Sequence, residues 1–204
     1  MFDARIDDAE PAWGRVPVRA VHAGAGALLC VVMAWFAFVQ GRAVPLLGLV
    51  DLGFHELGHM VTMWAPRLLY FAAGSINQVA VPLGIAGYFL WFQRDAVAGG
   101  LCLAWAGTSA QNVAVYVADA PYQRLPLIGG MHDWAYILGP DQLNMLGAAG
   151  AIGTAVKVFG LLVALTGLAL CCWTAVAAVR ARPGTGQRRP GVGEPGGDPT
   201  RMWR

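Results

Sequence analysis

Apolar residues run along this chain in blocks of about 20, the length a helix needs to cross a hydrocarbon layer. The blocks cover roughly residues 18–40, 43–65, 68–92, 96–118 and 158–179. Arg42, Arg67, Arg94, Lys157 and Arg180 punctuate them, as charged residues do at the edges of membrane spans. Residues 119–156 differ. They begin polar and turn-rich (DAPYQRLPLIGGMHDW) and continue weakly apolar (AYILGPDQLNMLGAAGAIGTAV), which predicts a short sixth span or a re-entrant helix near 136–156. Within the third block, GSINQ at 74–78 interrupts the apolar run and Pro82 follows a turn later, a pattern that predicts a broken or kinked helix facing a cavity or neighbouring protein. The expected architecture is all-α: a polytopic membrane helical bundle of five or six transmembrane helices over 18–180. It is preceded by a flank at 1–17 and followed by an Arg/Pro/Gly-rich tail at 181–204 of disordered composition.

Composition supports the membrane class, with 57% hydrophobic and only 13% charged residues. The net charge of +2 argues against nucleic acid as a partner. Arg5, Arg15 and Arg19 precede the first block, and Arg180, Arg182, Arg188 and Arg189 follow the last. The positive-inside rule places both ends in the cytoplasm, hence an even number of spans, and favours six over five. The expected location is the cell membrane, multi-pass, with a cytoplasmic C-terminal tail. Cys30, Cys102, Cys171 and Cys172 lie in apolar segments with no CxxC pair and read as packing residues. The acidic N-terminus lacks the basic n-region of a removable signal peptide.

The second block contains DLGFHELGHMVT, residues 51–62. His55, Glu56 and His59 have HExxH spacing: on a helix, i and i+4 share a face, so both imidazoles reach one metal ion while the glutamate sits beside it. Ionisable groups inside an apolar block are costly and mark function. The expected cofactor is Zn2+, with Glu56 as general base. Asp51, one turn before His55, is a candidate to orient an imidazole, or an interfacial cap. Thr108, Asn112, Tyr116 and Asp119 form a polar stripe on the fourth block. Catalytic zinc takes a third protein ligand; ligand type leaves Asp119 open against His132 or Asp133 of GGMHDW. His22 stands alone at the start of the first block and reads as interfacial.

HELGH in the second of about six spans, with an Asn-to-Asp polar face two spans later, resembles the site-2-protease type of intramembrane zinc metalloprotease. In that family the third ligand is an aspartate in a pattern close to N-x-x-P-x-x-x-L-D-G. Here NVAVYVADA sets Asn112 and Asp119 seven apart instead of eight, with Val115 at the proline position and Ala120 at the glycine. The resemblance implies Asp119 as third ligand, Glu56 as base and Asn112 as a substrate or oxyanion contact. HExxH together with GSxxQ, YxADA, LPL and GGxHDW also looks like a group of bacterial membrane proteins distantly akin to those proteases.

The leading expectation is therefore a zinc-dependent intramembrane hydrolase, a peptidase cutting membrane-embedded or membrane-adjacent segments. Asn112 or Asn77 would hold the peptide or the developing oxyanion. Its partners would be the lipid bilayer, a membrane-protein or peptide substrate and, with no sensing domain evident, a regulatory membrane protein. The alternatives are a metal transporter or sensor, which has no use for Glu56 as a base, and a structural membrane module, which binds no metal. A di-iron oxygenase would need more histidines than the four present.

Overall fold

The computed structural model describes residues 17–128 and 130–181. Every regular element among them is helical: α1 (Val18–Ala34, continued by a π-helical turn at Trp35–Val39), α2 (Leu47–Val61), α3 (Arg67–Trp91), α4 (Ala96–Asp119), α5 (Asp133–Leu138) and α6 (Ala149–Arg180). Three segments among the described residues, Val18–Val39, Arg67–Trp91 and Leu146–Arg180, are long and apolar enough to cross a membrane. The expected flank (to residue 16) and tail (from residue 182) lie outside the described residues.

The sixth span expected near 136–156 is not a separate element. Gly139 and Pro140 end α5 after six residues, because Pro has no N–H to continue the ladder. Turns follow, closed by Asn144 N–H to Gly139 O and Met145 N–H to Leu138 O, and α6 begins at Ala149. Nor does GSINQ break the third helix. α3 runs through residues 74–78 and through Pro82, and Gly74, Ser75 and Gln78 are buried.

α4 is the axis of the bundle, and it buries twelve residues where α1 buries four. Small residues let its neighbours approach closely. Gly100 opposes Gly167, Gly107 opposes Gly160 and Ala114 opposes Gly153, so α4 and α6 run antiparallel in a seven-residue register. On the other side, α3 returns antiparallel to α4, with Gln78 Nε2 donating to Ser109 O and Gly99 packed against Leu90. α1 runs alongside the first half of α4: Gly26 meets Val97, and Cys30 packs with Ala104 and Cys171. α2 takes over along the second half, where Asp51 meets Trp105, Ser109 and Asn112. α1 and α2 thus share one traverse of the bundle. The chain enters at Val18 and leaves at Arg180 at the same end, the end at which α4 begins.

At Gly107 a Cβ would lie 2.4 Å from Gly160 O and 2.7 Å from Ala164 Cβ. Gly107→Val should force α4 and α6 apart and cost about 1–3 kcal/mol, the usual range for overpacking. A lowered thermal midpoint in detergent would register this; an unchanged midpoint would show that the register described is not the packed one.

Candidate metal centre

α2 and α3 form an antiparallel hairpin that aligns both histidines. Gly58 lies under the Ala73 carbonyl, where a Cβ would meet the oxygen at 2.4 Å. Asn77 Nδ2 donates to Phe54 O at 2.6 Å. His55 and His59, one turn apart, then point at α3 with their rings 4.9 Å apart. His59 Nδ1 lies 2.9 Å from the Tyr70 carbonyl, and His55 Nδ1 lies 3.3 Å from Gln78 Oε1. A carbonyl only accepts, so His59 Nδ1 carries a proton. The Gln78 amide is turned by its own bond to Ser109 O, so its oxygen faces His55, whose Nδ1 is likewise the donor.

With both Nδ1 atoms committed, each ring in its neutral form has its Nε2 lone pair left for a ligand. Both are aimed at one atom: Asp133 Oδ2 lies 2.9 Å from His55 Nε2 and 3.2 Å from His59 Nε2. A metal ion, or a proton shared between a ring nitrogen and the carboxylate, would hold these three atoms together. The ligand atoms of His55, His59 and Asp133 lie within 4.8 Å of one another. α3 leaves room for an ion there. A Cβ on Gly74 would come within 2.6 Å of His59 Nε2 and 2.7 Å of His55 Nε2. Two imidazoles oriented through Nδ1 and one carboxylate therefore fit a metal ion.

Asp119 and His132, the other candidate ligands, sit beside this cluster and build the loop that delivers Asp133. Asp119 accepts the backbone N–H groups of Arg124 and Leu125. Its Oδ2 lies 3.4 Å from His132 Nε2. The His132 ring stacks on Tyr116, centroids 4.2 Å apart, and its Nδ1 accepts Ala135 N–H to cap α5. Burial holds the His132 imidazole below its ordinary range, against the pull of the Asp119 carboxylate. Tyr116 Oη accepts Asp133 N–H at 3.0 Å, and Trp134 Nε1 donates to Ser75 Oγ at 3.0 Å. Each of these bonds fixes α5 against α3 or α4.

Asp51 does not reach an imidazole. Its carboxylate faces α4, accepting from Ser109 Oγ (2.6 Å), Trp105 Nε1 (2.8 Å) and Asn112 Nδ2 (3.1 Å). The expectation placed it on the histidine stripe, but the first turn of α2 faces α4 while its later turns face α3. Asn77 is occupied in tying α3 to α2. Glu56 is half-buried and lines two adjoining cavities. The larger, about 410 Å³, extends past His55, Gln78 and Asn112 to Gly41 and Asp51. The smaller, about 110 Å³, contains His55, His59, Tyr116 and Asp133. Leu127 and Ile128 border both. Gly74, Gln78, Tyr70 and Tyr116 were not singled out as site residues from the sequence. Gln78, one turn after Gly74 in GSINQ, was the available signal.

No protein-family model, curated protein or solved structure matches the chain.

If Asp133 is the third ligand, Asp133→Ala should abolish metal binding while Asp119→Ala weakens it. Gln78→Ala should cost about 10- to 100-fold in affinity, as loss of a group that orients a ligand does. Gly74→Val should remove the metal with every donor still present. Metal titration of the purified variants checks all four; retention in Asp133→Ala and loss in Asp119→Ala would reverse the assignment.

Proposed function

We infer that the protein is a zinc-dependent membrane hydrolase, acting as a peptidase on membrane-embedded or membrane-adjacent segments. The observation that carries this reading is the position of Glu56. It lies beside the His55–His59–Asp133 cluster and borders both cavities, where water and an extended substrate would meet. Two imidazoles and one carboxylate are the ligand set of zinc hydrolases that keep a coordination position open. Zinc held there would supply Lewis-acid polarisation of a carbonyl and acidify water.

The residues of the chain divide the remaining work. His55, His59 and Asp133 hold the ion, and Gln78 and the Tyr70 carbonyl keep the imidazoles in the ligating tautomer. Glu56 takes a proton from water and returns it to the leaving amine. Asn112, fixed by Asp51 through one amide hydrogen, borders the larger cavity and offers its remaining polar atoms to a substrate backbone. Apolar Leu52, Val113 and Leu125 line the same cavity, which suits an uncharged peptide segment. The helices that carry the site make up a multi-pass membrane protein of the cell membrane, in which α2 and α4 join the three long apolar helices. A metal transporter or sensor would share the ligands, but it gives Glu56 no task.

Zinc content and hydrolysis of a quenched peptide spanning a membrane boundary test this directly. Wild-type protein should hold about one zinc per chain; His55→Ala should lose it. Glu56→Gln should keep it and lose at least about 100-fold in rate. Metal-free wild type after zinc is restored would overturn the reading, and full activity in Glu56→Gln would exclude the general-base role.

A further inference from the structure

The side of the bundle and the depth at which the centre lies can be read from its charged residues. Arg19, Arg94 and Arg180 are exposed at the end where the chain enters and leaves. Two other exposed cations, Arg42 and Lys157, sit at a common second level. Arg42 lies between Gly41 and Ala43, which line the larger cavity together with Asn112, Val113 and Tyr116. Lys157 lies between Gly153, opposite Ala114, and Gly160, opposite Gly107. Both therefore mark the stretch of α4 around residues 110–114.

Measured along α4 from Arg94, that level is about 27 Å away at 1.5 Å per residue, close to the roughly 30 Å of a hydrocarbon core. The metal cluster lies at this level: Gln78, which holds His55, bonds Ser109 of α4, and Gly74, beside both Nε2 atoms, is one turn away from Gln78 on α3. Asp133 N–H bonds to Tyr116, and His132 stacks on the same ring, next to Asp119 at the end of α4. The loop that delivers Asp133 lies outward of the cations, with Asp119 about two helical turns, or roughly 10 Å, past Asn112. Trp64, 85% exposed just past the end of α2, and Tyr122, 64% exposed in the loop after α4, lie at the same end. They are residues of the kind that sit at headgroup level. Ile128, 69% exposed, stands at the rim of both cavities.

Charge also sets the direction. Arg42, Arg67, Arg124 and Lys157 belong to the half that carries the metal cluster; the other ten of the fourteen basic residues are Arg94 and those of the two flanks. Basic residues collect on the cytoplasmic side.

We propose that the metal centre lies in the interfacial layer on the extracytoplasmic face, opposite the end that carries Val18 and Arg180, and that its substrate is the juxtamembrane stretch of a membrane-anchored polypeptide on that face. The substrate class rests on the hydrolase reading; the placement stands independently of it. The apolar rim at Leu127 and Ile128 would receive a segment leaving the bilayer, and Glu56 would draw its water from the headgroup region.

The test is labelling of the full chain in intact cells with a membrane-impermeant maleimide, using the unaltered chain as background for its four native cysteines. Tyr122→Cys and Ile128→Cys should label in intact cells, and Gln93→Cys, at the opposite end, only after permeabilisation. Labelling of Gln93→Cys alone in intact cells would overturn the orientation. Labelling of Ile128→Cys only in denaturant, with Tyr122→Cys accessible, would place the centre inside the hydrocarbon and overturn the depth. Met131→Cys, half-exposed beside the smaller cavity, replaces Ile128→Cys if that variant leaves the membrane fraction. None of these outcomes depends on zinc or activity. The hydrolase reading fails instead if zinc is absent while the labelling pattern holds.

Discussion

The convergence of two imidazole lone pairs and a carboxylate oxygen on one small volume constrains the rest of the molecule. Each imidazole has spent its Nδ1 proton elsewhere, on Tyr70 O and on Gln78 Oε1. What remains is a concentration of negative potential in a buried site, where the effective dielectric is low and repulsion is weakly screened. A metal ion held there, or a proton shared with the carboxylate, relieves it. The carboxyl groups of buried Asp51 and Asp133 and of partly buried Asp119 differ in the same respect. Asp51 is surrounded by hydroxyl, indole and amide donors, and Asp119 accepts two backbone N–H groups. Asp133 Oδ2 faces two ring nitrogens that have no proton to give in their neutral tautomers.

The packing serves that convergence. Gly58 brings α2 against the α3 backbone, and Gly74 leaves the volume into which both Nε2 atoms project. Asn77 and Gln78, adjacent on α3, divide two tasks: one fixes the spacing of the hairpin, the other fixes a tautomer. Asp51 latches the start of α2 to α4 without approaching the histidines. Its three donors come from successive turns of α4, so α2 is clamped at its base and the cavity opens above the clamp, toward Glu56.

Much of this was legible in the sequence because it is local. The i, i+4 spacing of His55 and His59 and the polar stripe of α4 follow from helical periodicity alone. Which residue could complete the cluster was not legible. Asp119, His132 and Asp133 are equally good by residue type. The structure separates them through the turn after Asp119, the stacking of His132 on Tyr116 and the cap on Ala135, all of which depend on how residues 120–132 fold back. The GSINQ stretch looked like a helix break because polar residues lower its apolarity. In the bundle those residues face α2 and α5, so polarity there signals contact between helices. The segment near 136–156, expected as a short sixth span or a re-entrant helix, forms no separate span for a related reason: its weak hydropathy averages over Gly139 and Pro140, which end one helix well before α6 begins.

The shortness of α2 fits the same physics. A 15-residue helix carrying Asp51, His55, Glu56 and His59 is a poor crossing element, because each ionisable group in hydrocarbon is expensive. α1 ends part-way along α4 and α2 begins there, so the ionisable turns of the shared traverse come last, from the level of Arg42 and Lys157 outward. If that end is the interface, as proposed, the cost of the trio falls and water is at hand for Glu56. A centre deep in the hydrocarbon would need a dedicated water path through the bundle, whereas exposed Ile128 of the loop after α4 lines both cavities. The depth of the centre and the broken α1–α2 traverse are then one arrangement. It lets a chain that is otherwise apolar carry a site whose proposed chemistry consumes water.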